Sequence, residues 1–389
     1  MQTDSESCAE LNAAREIAPL LASRAREFED NRKIAPELMQ QMFDAGMVQM
    51  AVPKVYGGRE SPLVQILQVI EEIAWGDASA SWCLMNYQTT AFAAGLMSSS
   101  AAQETFGGSE SAVPAGVLAL TGRAQQIGEG LLVSGRWSFA SGCDHANWLM
   151  GTVIVEDDAG EPLKDENGAT KVLHPFFSRD QFDIVDNWDV SGLRASGSHD
   201  VTVNEVTVPA NRWVSLSNPI VVDTPLYRFP IVSTFPPCVA MVALGAARAA
   251  LDYFIDLASN KVPAGGTQSL GERASAQINV AKAEALIDSS RAYILETVRA
   301  LWDDVTAGVS ASQDKKRRIR LAGVHGAQAA ATAVTLLYDA AGSTSIALDC
   351  PLQRTLRDIR VATQHLQVSS AGIERMGKLR LTGSLDGAL

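Results

Sequence analysis

Residues 135–148, GRWSFASGCDHANW, lie at the centre of the stretch that decides the fold. From about residue 112 to about residue 215, apolar residues recur with period two and turns separate the runs. Val201, Val203 and Val208 alternate in one such run, and the apolar residues 131–133 follow a Gly-Glu-Gly turn. Alternation of this kind predicts β-strands bounded by turns. The middle of the chain is therefore predicted to be a β-domain.

Helical patterns flank this β-domain on both sides. Before it, residues 36–46, 63–76 and 79–92 carry apolar side chains at helical spacing. After residue 230, four long alanine-rich amphipathic segments follow, at residues 240–257, 274–301, 319–341 and 354–378. Four such helices in succession predict an up-and-down bundle. The predicted fold is thus α+β, with an N-terminal helical domain (1–111), a middle β-domain (112–218) and a C-terminal four-helix bundle (219–389).

The composition is that of a folded protein and argues against several function classes. The 389 residues are 47% apolar and 20% charged, which excludes a disordered chain. The net charge is -12 without a long basic run, so a nucleic-acid-binding surface is not expected. The sequence predicts no membrane span, and the polar residues 1–10 predict no signal peptide. Five scattered cysteines without a CxxC pair predict reduced thiols and a cytoplasmic location.

Several familiar sites are missing from the sequence. There is no GxxxxGK[ST] phosphate loop and no GxGxxG dinucleotide fingerprint. The five histidines show no metal-ligand spacing, so no metal site is predicted. Ser198, His199 and Asp200 have the residue types of a hydrolase triad, but adjacent strand residues point to opposite faces. These three side chains cannot converge, and a hydrolase triad is rejected.

Three segments together resemble the acyl-CoA dehydrogenase superfamily over essentially the whole chain. They are VPKVYGG at 52–58, GRWSFASGCDHANW at 135–148, and WDVSGLRASGSHD at 188–200 followed by VTVP at 206–209. The resemblance implies an N-terminal helical domain, a central β-barrel or sandwich domain and a C-terminal four-helix bundle. It also implies a flavin between the β-domain and the bundle, and assembly as a homotetramer.

The same resemblance assigns a cofactor site. Phe139, Ala140 and Ser141 would border the flavin, with the Ser141 hydroxyl donating to its N5 atom or accepting from it. A planar guanidinium suits a phosphate, so Arg194 is expected at the cofactor phosphate. The full set expected to bind the cofactor is Trp137, Phe139, Ala140, Ser141, Trp188, Arg194, Ser196 and Arg357. The alternatives are that the aromatic residues form the β-domain core and that Arg194 makes an ordinary surface salt bridge.

Two features favour a monooxygenase over a dehydrogenase. No glutamate occurs between Tyr338 and Gly372, where acyl-CoA dehydrogenases commonly place their catalytic base. A histidine near the end of the chain, His365, follows the pair Arg357-Asp358 with six residues between them. This pattern resembles the oxygenase components that receive reduced FMN or FAD from a separate NAD(P)H:flavin reductase. Such enzymes form a C4a-hydroperoxyflavin and oxidise aromatic or heteroaromatic molecules.

His365, Ser141 and His145 form the expected catalytic set. An imidazole with an ordinary pKa of about 6.5 can give or take a proton near neutrality, so His365 is assigned as acid or base. The alternative is a structural histidine held by a backbone carbonyl. His145 is expected either to support the flavin loop or to pair with Asp144 or another strand.

Four residues are expected to contact the substrate: Trp82, Thr90, Gly116 and Leu118. Thr90 stands where a histidine is common in the phenol-hydroxylating relatives, and the strand at 113–118 lacks the serine that those relatives use on the substrate. A pocket that recognises a phenol keeps such groups, because an unpaired buried polar group is unfavourable. The sequence therefore predicts a less polar aromatic or heteroaromatic substrate, or one oxidised at nitrogen or sulfur.

Two other functions stay open on this reasoning. One is a desaturating flavoprotein that acts on acyl thioesters, with Glu71, Glu72 or Asp358 as its base. The other is a helical scaffold that has lost its cofactor, against which the glycines at 57–58, Ser141 and Arg194 argue. The sequence leaves open the substrate, the choice between FMN and FAD, and the reductase.

Overall fold

Five helices precede the sheet. The computed structural model describes residues 8–108 and 112–384, so most of the segment in which no signal peptide was expected lies outside the described residues. The helices are α1 (Ala9–Asn31), α2 (Pro36–Asp44), α3 (Leu63–Gly76), α4 (Ala78–Ala91) and α5 (Ser99–Phe106). The helices predicted at residues 36–46, 63–76 and 79–92 are confirmed.

Helix α4 is a central element of the molecule. It begins at Asp77, whose carboxylate accepts a hydrogen bond from the Ala80 backbone N–H at 2.9 Å and so caps the helix. Nearly all of its side chains are buried, on every face. A helix buried all round lies inside a protein and does not cover its surface. Its residues are therefore available to line an internal site.

A nine-stranded sheet occupies the middle of the chain. The strands are β1 (Pro114–Gly116), β2 (Gly122–Ile127), β3 (Gly130–Trp137), β4 (Trp148–Met150), β5 (Val153–Glu156), β6 (Val172–Ser178), β7 (Asp183–Val185), β8 (Asp200–Val208) and β9 (Trp213–Val214). Their order is β1-β4-β6-β5-β2-β3-β8-β7, with β9 on β6. Strands β3 and β8 run antiparallel, with Trp137 opposite Val201. The predicted alternating run from Val201 to Val208 is therefore a strand.

Helices return after the sheet and form the bundle. They are α6 (Pro225–Arg228), α7 (Phe235–Asn260), α8 (Ala274–Thr306), α9 (Gln313–Ala341), α10 (Pro351–Ala362) and α11 (Ser370–Thr382). Helix α7 packs against α3 so closely that a Cβ added at Gly245 would lie 2.2 Å from the Glu71 carbonyl oxygen. One buried apolar core runs through helices and sheet. The boundaries near residues 112 and 219 stay a prediction.

The last predicted helix, at residues 354–378, is wrong as a single element. Helix α10 ends at Ala362 and α11 begins at Ser370. Between them the Thr363 hydroxyl donates to the Ile359 carbonyl, and the Gln367 N–H donates to the His365 ring. Side chains that bond to nearby backbone groups compete with helical hydrogen bonds, which explains why the helix stops here.

One apolar helix of the bundle lies in the interior. Among the described residues, only Ile231–Asn260 has the length and hydropathy of a membrane span, with a mean hydropathy of 1.6. Of its most apolar stretch, 72% is buried inside the protein. It is the central helix of the bundle core, in contact with α3, α4, α8 and α9.

Candidate active site

A cavity of about 550 Å³ lies between α4, the first strand and the break after α10. This volume is within the range of about 300–1,000 Å³ that is usual for small-molecule sites. Its walls bring together eight of the predicted residues: Trp82, Thr90, Gly116, Leu118, Phe139, Ser141, Trp188 and His365. The cavity is thus where the predicted cofactor and substrate residues meet.

One face of α4 forms a wall of the cavity. Trp82, Met85, Asn86, Thr89 and Thr90 follow the i, i+3, i+4, i+7 and i+8 spacing of a single helical face. The sequence reasoning missed Asn86, which this spacing could have revealed. Its side-chain amide bonds to Gly116, the last residue of β1. Asn86 Oδ1 accepts from the Gly116 N–H at 2.9 Å, and Asn86 Nδ2 donates to the Gly116 carbonyl at 3.0 Å. The helix and strand β1 are therefore held in fixed register.

Gly116 and Thr90 are in contact across this wall. A Cβ added at Gly116 would lie 2.2 Å from Thr90 Oγ1, so only glycine fits. The Thr90 hydroxyl donates to the Asn86 carbonyl at 2.8 Å, within its own helix. Its proton is thus already used, and Thr90 offers the cavity its methyl group and one acceptor oxygen.

Phe139 holds an unusual conformation at the cavity. Its φ is 66°, and its side chain is 67% exposed. Bulky residues seldom adopt positive φ, and such strained positions concentrate at functional sites. The ring meets Trp188 edge to face, with 5.8 Å between the ring centroids. Phe139 and Trp188 together offer an aromatic surface for a planar ligand.

A chain of buried hydrogen bonds lies behind Phe139. The Trp82 Nε1–H donates to Ser141 Oγ at 3.0 Å. Ser141 Oγ lies 2.8 Å from Ser198 Oγ, and Ser198 Oγ lies 2.7 Å from Ser196 Oγ. The Ser196 hydroxyl donates to the Leu193 carbonyl at 2.7 Å. We call these five residues the hydroxyl chain.

Two arginines that were predicted to bind the cofactor hold the loop at residues 189–193. Arg194 Nη1 donates to the Val190 carbonyl at 2.7 Å and pairs with Asp189 at 3.0 Å. Arg357 Nη1 donates to the Ser191 carbonyl at 2.6 Å. Neither side chain lines the cavity. In the chain as described, both arginines shape this loop. The role of Arg194 at the cofactor phosphate and that of Arg357 at the cofactor stay predictions.

Trp137 does not line the cavity. It is fully buried, its Nε1–H donates to the Thr152 carbonyl at 2.9 Å, and its ring packs against Phe177. A Cβ at Gly122 would lie 2.3 Å from this ring, so Trp137 fills the sheet core. The expectation of a cofactor-binding side chain is therefore corrected in favour of the core alternative. Ala140 is also buried and outside the cavity lining.

His365 stands in the break between α10 and α11. Its side chain is exposed to the open cavity. Protein atoms nevertheless surround most of the ring, and this partial burial lowers the pKa of His365 below the ordinary 6.5. The Gln367 N–H donates to Nδ1 at 3.3 Å. A neutral imidazole that accepts at one nitrogen carries its proton on the other. His365 is therefore a neutral ring with the proton at Nε2.

His145 is not brought into the cavity. It lies in a short helical turn after Gly142, and its Nε2 is buried without a hydrogen-bond partner among the described residues. Burial, together with the charge of Lys33, lowers the pKa of His145 to about 4. The ring is neutral at physiological pH. The prediction that His145 joins the catalytic set is not supported by its position.

Ser198, His199 and Asp200 face three different neighbours. Ser198 belongs to the hydroxyl chain, His199 Nδ1 accepts from the Trp188 N–H at 3.1 Å, and Asp200 pairs with Arg136 at 2.7 Å. The three side chains form no triad, although only Asp200 lies on a strand and Ser198 and His199 precede it.

Family models and relatives of known function identify the group to which the chain belongs. Residues 8–106 match the model of the acyl-CoA dehydrogenase N-terminal domain, and residues 237–370 match that of its C-terminal domain. An indole-3-acetate monooxygenase from Pseudomonas putida is 32% identical over 93% of this chain and 92% of that protein. The chain belongs to the acyl-CoA dehydrogenase superfamily. Within that superfamily it is a flavin-dependent monooxygenase.

Other members of the superfamily agree with this placement. The flavin-dependent monooxygenase oxygenase subunit HsaA of Rhodococcus jostii RHA1 is 27% identical over 90% of this chain and 92% of that protein. Two solved structures share the fold. The 3-HSA hydroxylase from Rhodococcus sp. RHA1 aligns with a TM-score of 0.90 at 24% identity, covering 99% of both chains. XiaF from Streptomyces, in complex with FADH2 and glycerol, aligns with a TM-score of 0.89 at 23% identity, covering 98% of this chain and 96% of that one.

The carboxylates considered for a desaturase of this superfamily are all engaged away from the cavity. Glu71 pairs with Arg291 at 2.8 Å, and Glu72 pairs with Arg248 at 2.9 Å. Asp358 is buried and accepts from the Leu193 N–H at 2.6 Å. No Asp or Glu is among the described residues that line the cavity. The acyl-thioester desaturase is therefore not favoured, because it needs a carboxylate base beside its substrate.

Proposed function

We propose that the chain is the oxygenase component of a two-component monooxygenase that oxidises a neutral aromatic or heteroaromatic molecule. Reduced FMN or FAD would come from a separate NAD(P)H:flavin reductase. The observation that carries the proposal is the cavity, which joins Phe139, Ser141 and His365 and has no carboxylate in its described lining. Relatives named as oxygenase components or subunits support the separate reductase.

The residues at the cavity fit a flavin ring. Phe139 gives an exposed aromatic ring that packs against the buried Trp188, and Ser141 offers a buried hydroxyl oxygen at the cavity wall. When bound in its reduced form, a flavin activates dioxygen and supplies one oxygen atom to a substrate. Ser141 would hold the ring by a hydrogen bond, and His365 would act as the acid or base toward an oxygen atom at the reacting position. The apolar residues of α4 and α7 would keep water away.

The substrate is proposed to be uncharged. Among the described residues that line the cavity there is no Lys, Arg, Asp or Glu. Burying a carboxylate without a partner of opposite charge is strongly unfavourable. The Gln367 Oε1 is buried at the cavity without a partner, so it can accept from a ring N–H. A neutral heteroaromatic with one N–H fits these groups.

Assembly and location are proposed on indirect grounds. The family resemblance implies a homotetramer, and apolar side chains exposed on the bundle, such as Ile255 and Ile278, would be covered in it. In such an assembly, a neighbouring copy could complete a phosphate site that Arg194 or Arg357 begins, whereas Ser196 is buried within the chain. Five free thiols support a cytoplasmic location.

A single-turnover experiment tests the proposed function. The protein would be loaded with chemically reduced FMN or FAD without oxygen, then mixed with ¹⁸O₂ and a panel of indoles and fused thiophenes. We expect one labelled oxygen atom in the product and no need for the reductase once reduced flavin is supplied. NADH alone should give no turnover. A product with a new carbon–carbon double bond and no label, formed from an acyl thioester, would instead establish the desaturase.

A further inference from the structure

The hydroxyl chain has two ends that each permit only one hydrogen-bonding role. At one end, the Trp82 indole N–H can only donate. At the other end, the Leu193 carbonyl oxygen can only accept. Between them lie three buried serine hydroxyls, each with one proton. The ends therefore determine which way every proton in the chain points.

The proton positions follow one by one. Ser196 gives its proton to the Leu193 carbonyl, so its oxygen must accept from Ser198. Ser198 has then used its proton, so its oxygen must accept from Ser141. Ser141 has used its proton too, and it already accepts from Trp82. What Ser141 presents to the cavity is therefore a free lone pair and no proton.

The geometry points to a redox-selective contact: we propose that Ser141, held as an acceptor by the hydroxyl chain, favours a flavin that carries a proton on N5. Reduced flavin has an N–H at this position and can donate to Ser141. Oxidised flavin has a lone pair there, which would face the lone pair of Ser141. The inference rests on the proposed function, which puts the flavin ring beside Ser141, and adds how the site distinguishes the two redox forms.

Reversing the chain would break at least one of its bonds. If Ser141 turned its proton toward the cavity, the protons of Ser198 and Ser196 could serve only two of the three hydrogen bonds between Ser141 and the Leu193 carbonyl. A typical net hydrogen bond corresponds to a factor of about 2 to 12 in an equilibrium constant. Donation along a row of hydroxyls also polarises each oxygen in turn, which makes Ser141 a stronger acceptor. The hydroxyl chain therefore strengthens the preference for reduced flavin that the direction of its protons creates.

The accepting end of the chain is held firmly in place. The Leu193 carbonyl also accepts from the Trp188 Nε1–H at 3.1 Å, and the Leu193 N–H donates to Asp358 at 2.6 Å. Leu193 itself has a positive φ of 51°, which a leucine adopts only when its surroundings require it. The carbonyl that orients the serine protons is thus held by hydrogen bonds at both peptide groups of Leu193.

The test is a comparison of Ser196→Ala with Ser345→Ala. Ser196 does not line the cavity, and its loss would free Ser198 to donate to Ser141 and Ser141 to donate to the cavity. Ser345 is a matched control, because it is equally buried and donates to the Gly342 carbonyl at 2.7 Å in a similar turn away from the cavity. Dissociation constants would be measured for reduced and for oxidised FMN or FAD.

We expect the ratio of oxidised to reduced dissociation constants to fall by about 2- to 12-fold in Ser196→Ala and to stay unchanged in Ser345→Ala. The midpoint potential of the bound flavin should fall with it, by about 10–30 mV at about 30 mV per tenfold. The inference would be overturned if Ser196→Ala weakened the binding of oxidised and reduced flavin equally, or if the ratio of their dissociation constants did not change. Binding of neither form by the wild type would overturn the proposed function itself.

Ser198→Ala provides a second route if Ser196→Ala does not fold. It removes the middle of the hydroxyl chain and leaves the Ser196–Leu193 bond in place. The ratio of oxidised to reduced dissociation constants should again fall, because Ser141 becomes free to donate its proton toward the cavity. A ratio that stays at the wild-type value in a folded Ser198→Ala protein contradicts the inference as well.

Discussion

Trp82 and His365 meet edge to face at the cavity, with 5.6 Å between the ring centroids and 78° between the ring planes. The same indole donates its N–H to Ser141 at 3.0 Å. One side chain on α4 therefore connects the break between α10 and α11 with the hydroxyl chain. The proposed proton donor and the proposed flavin contact are positioned by a common neighbour, so their geometries are linked.

Ser141→Ala is expected to uncouple oxygen use from product formation. Without the hydroxyl, the flavin loses a hydrogen bond of about 1 kcal/mol on the Ser141 side. More hydrogen peroxide should be released for each oxygen consumed, while the protein stays folded. Peroxide and product would be measured together in a single turnover, with Ser345→Ala as the control. Unchanged coupling in Ser141→Ala would remove the residue from the flavin contact.

His365→Ala and His365→Asn are expected to lower the oxygenation rate by roughly 10²–10⁴-fold. Neither replacement can hand over a proton near neutral pH. Flavin binding and the melting temperature should stay near the wild-type values, because among the described residues the ring has one hydrogen-bond partner, the Gln367 N–H. A stable and fully active His365→Asn protein would show that the residue has only a structural role.

The pH dependence of the rate should identify which form of His365 acts. Burial lowers the pKa of His365 below 6.5, so the neutral ring predominates near neutral pH. If the neutral ring is the active form, the rate is constant near neutral pH and falls as the pH drops and the ring gains a proton. This acidic limb should be absent from the residual rate of His365→Ala. A rate that rises as the pH falls would mean that the protonated ring is the active form.

Asp358→Asn is expected to stabilise the protein above neutral pH. Burial, with the nearby Asp77, raises the pKa of Asp358 from 3.8 to about 7, so the folded state favours the neutral carboxyl. The wild type therefore loses stability as the pH rises from about 4 through 7. Asparagine is always neutral and can still accept from the Leu193 N–H.

The free energy of unfolding of Asp358→Asn should exceed that of the wild type by on the order of 1–4 kcal/mol at pH 8 and by about zero at pH 4. Urea unfolding at the two pH values would measure it, with exposed Asp256→Asn as the control. Equal or lower stability of Asp358→Asn at pH 8 would show that Asp358 is charged in the folded state.

The substrate preference can be tested with a matched pair of compounds. Indole is uncharged, whereas indole-3-acetate adds a carboxylate that would have no cationic partner among the described cavity residues. We expect a higher kcat/KM for indole, with the difference chiefly in KM. Introducing a cation with Thr89→Lys should narrow the difference, since Thr89 lines the same wall. Preference for indole-3-acetate in the wild type would contradict the proposal of a neutral substrate.

Much of the site was predictable because its residues lie in local motifs. Ser141 and Phe139 belong to the segment at 135–148, and Trp82 and Thr90 belong to a helix with clear spacing. Trp137 belongs to the same segment, yet its side chain points into the sheet core, between glycines at 122 and 135. A linear motif does not distinguish the two faces of a strand end when both are apolar.

Two features were beyond the reach of sequence reasoning. The break at residues 363–369 contains no glycine or proline, so nothing in its composition separated α10 from α11. The hydroxyl chain joins Ser141 with Ser196 and Ser198 from a different loop, and it depends on distances of 2.7 and 2.8 Å that only the fold creates. The hydroxyl chain is thus a tertiary contact between segments far apart in the chain, whereas the break depends on local hydrogen bonds of Thr363 and His365.

The break between α10 and α11 also makes the cavity adaptable. Each of these helices packs on α9 in its own right, so neither depends on the length of the connection between them. Adding or removing a residue at 363–369 would change the wall that carries His365 and Gln367, and Trp82 links this wall to the serines on the opposite side. Altering the length of this connection could thus change the substrate range, and the flavin contact would respond through Trp82.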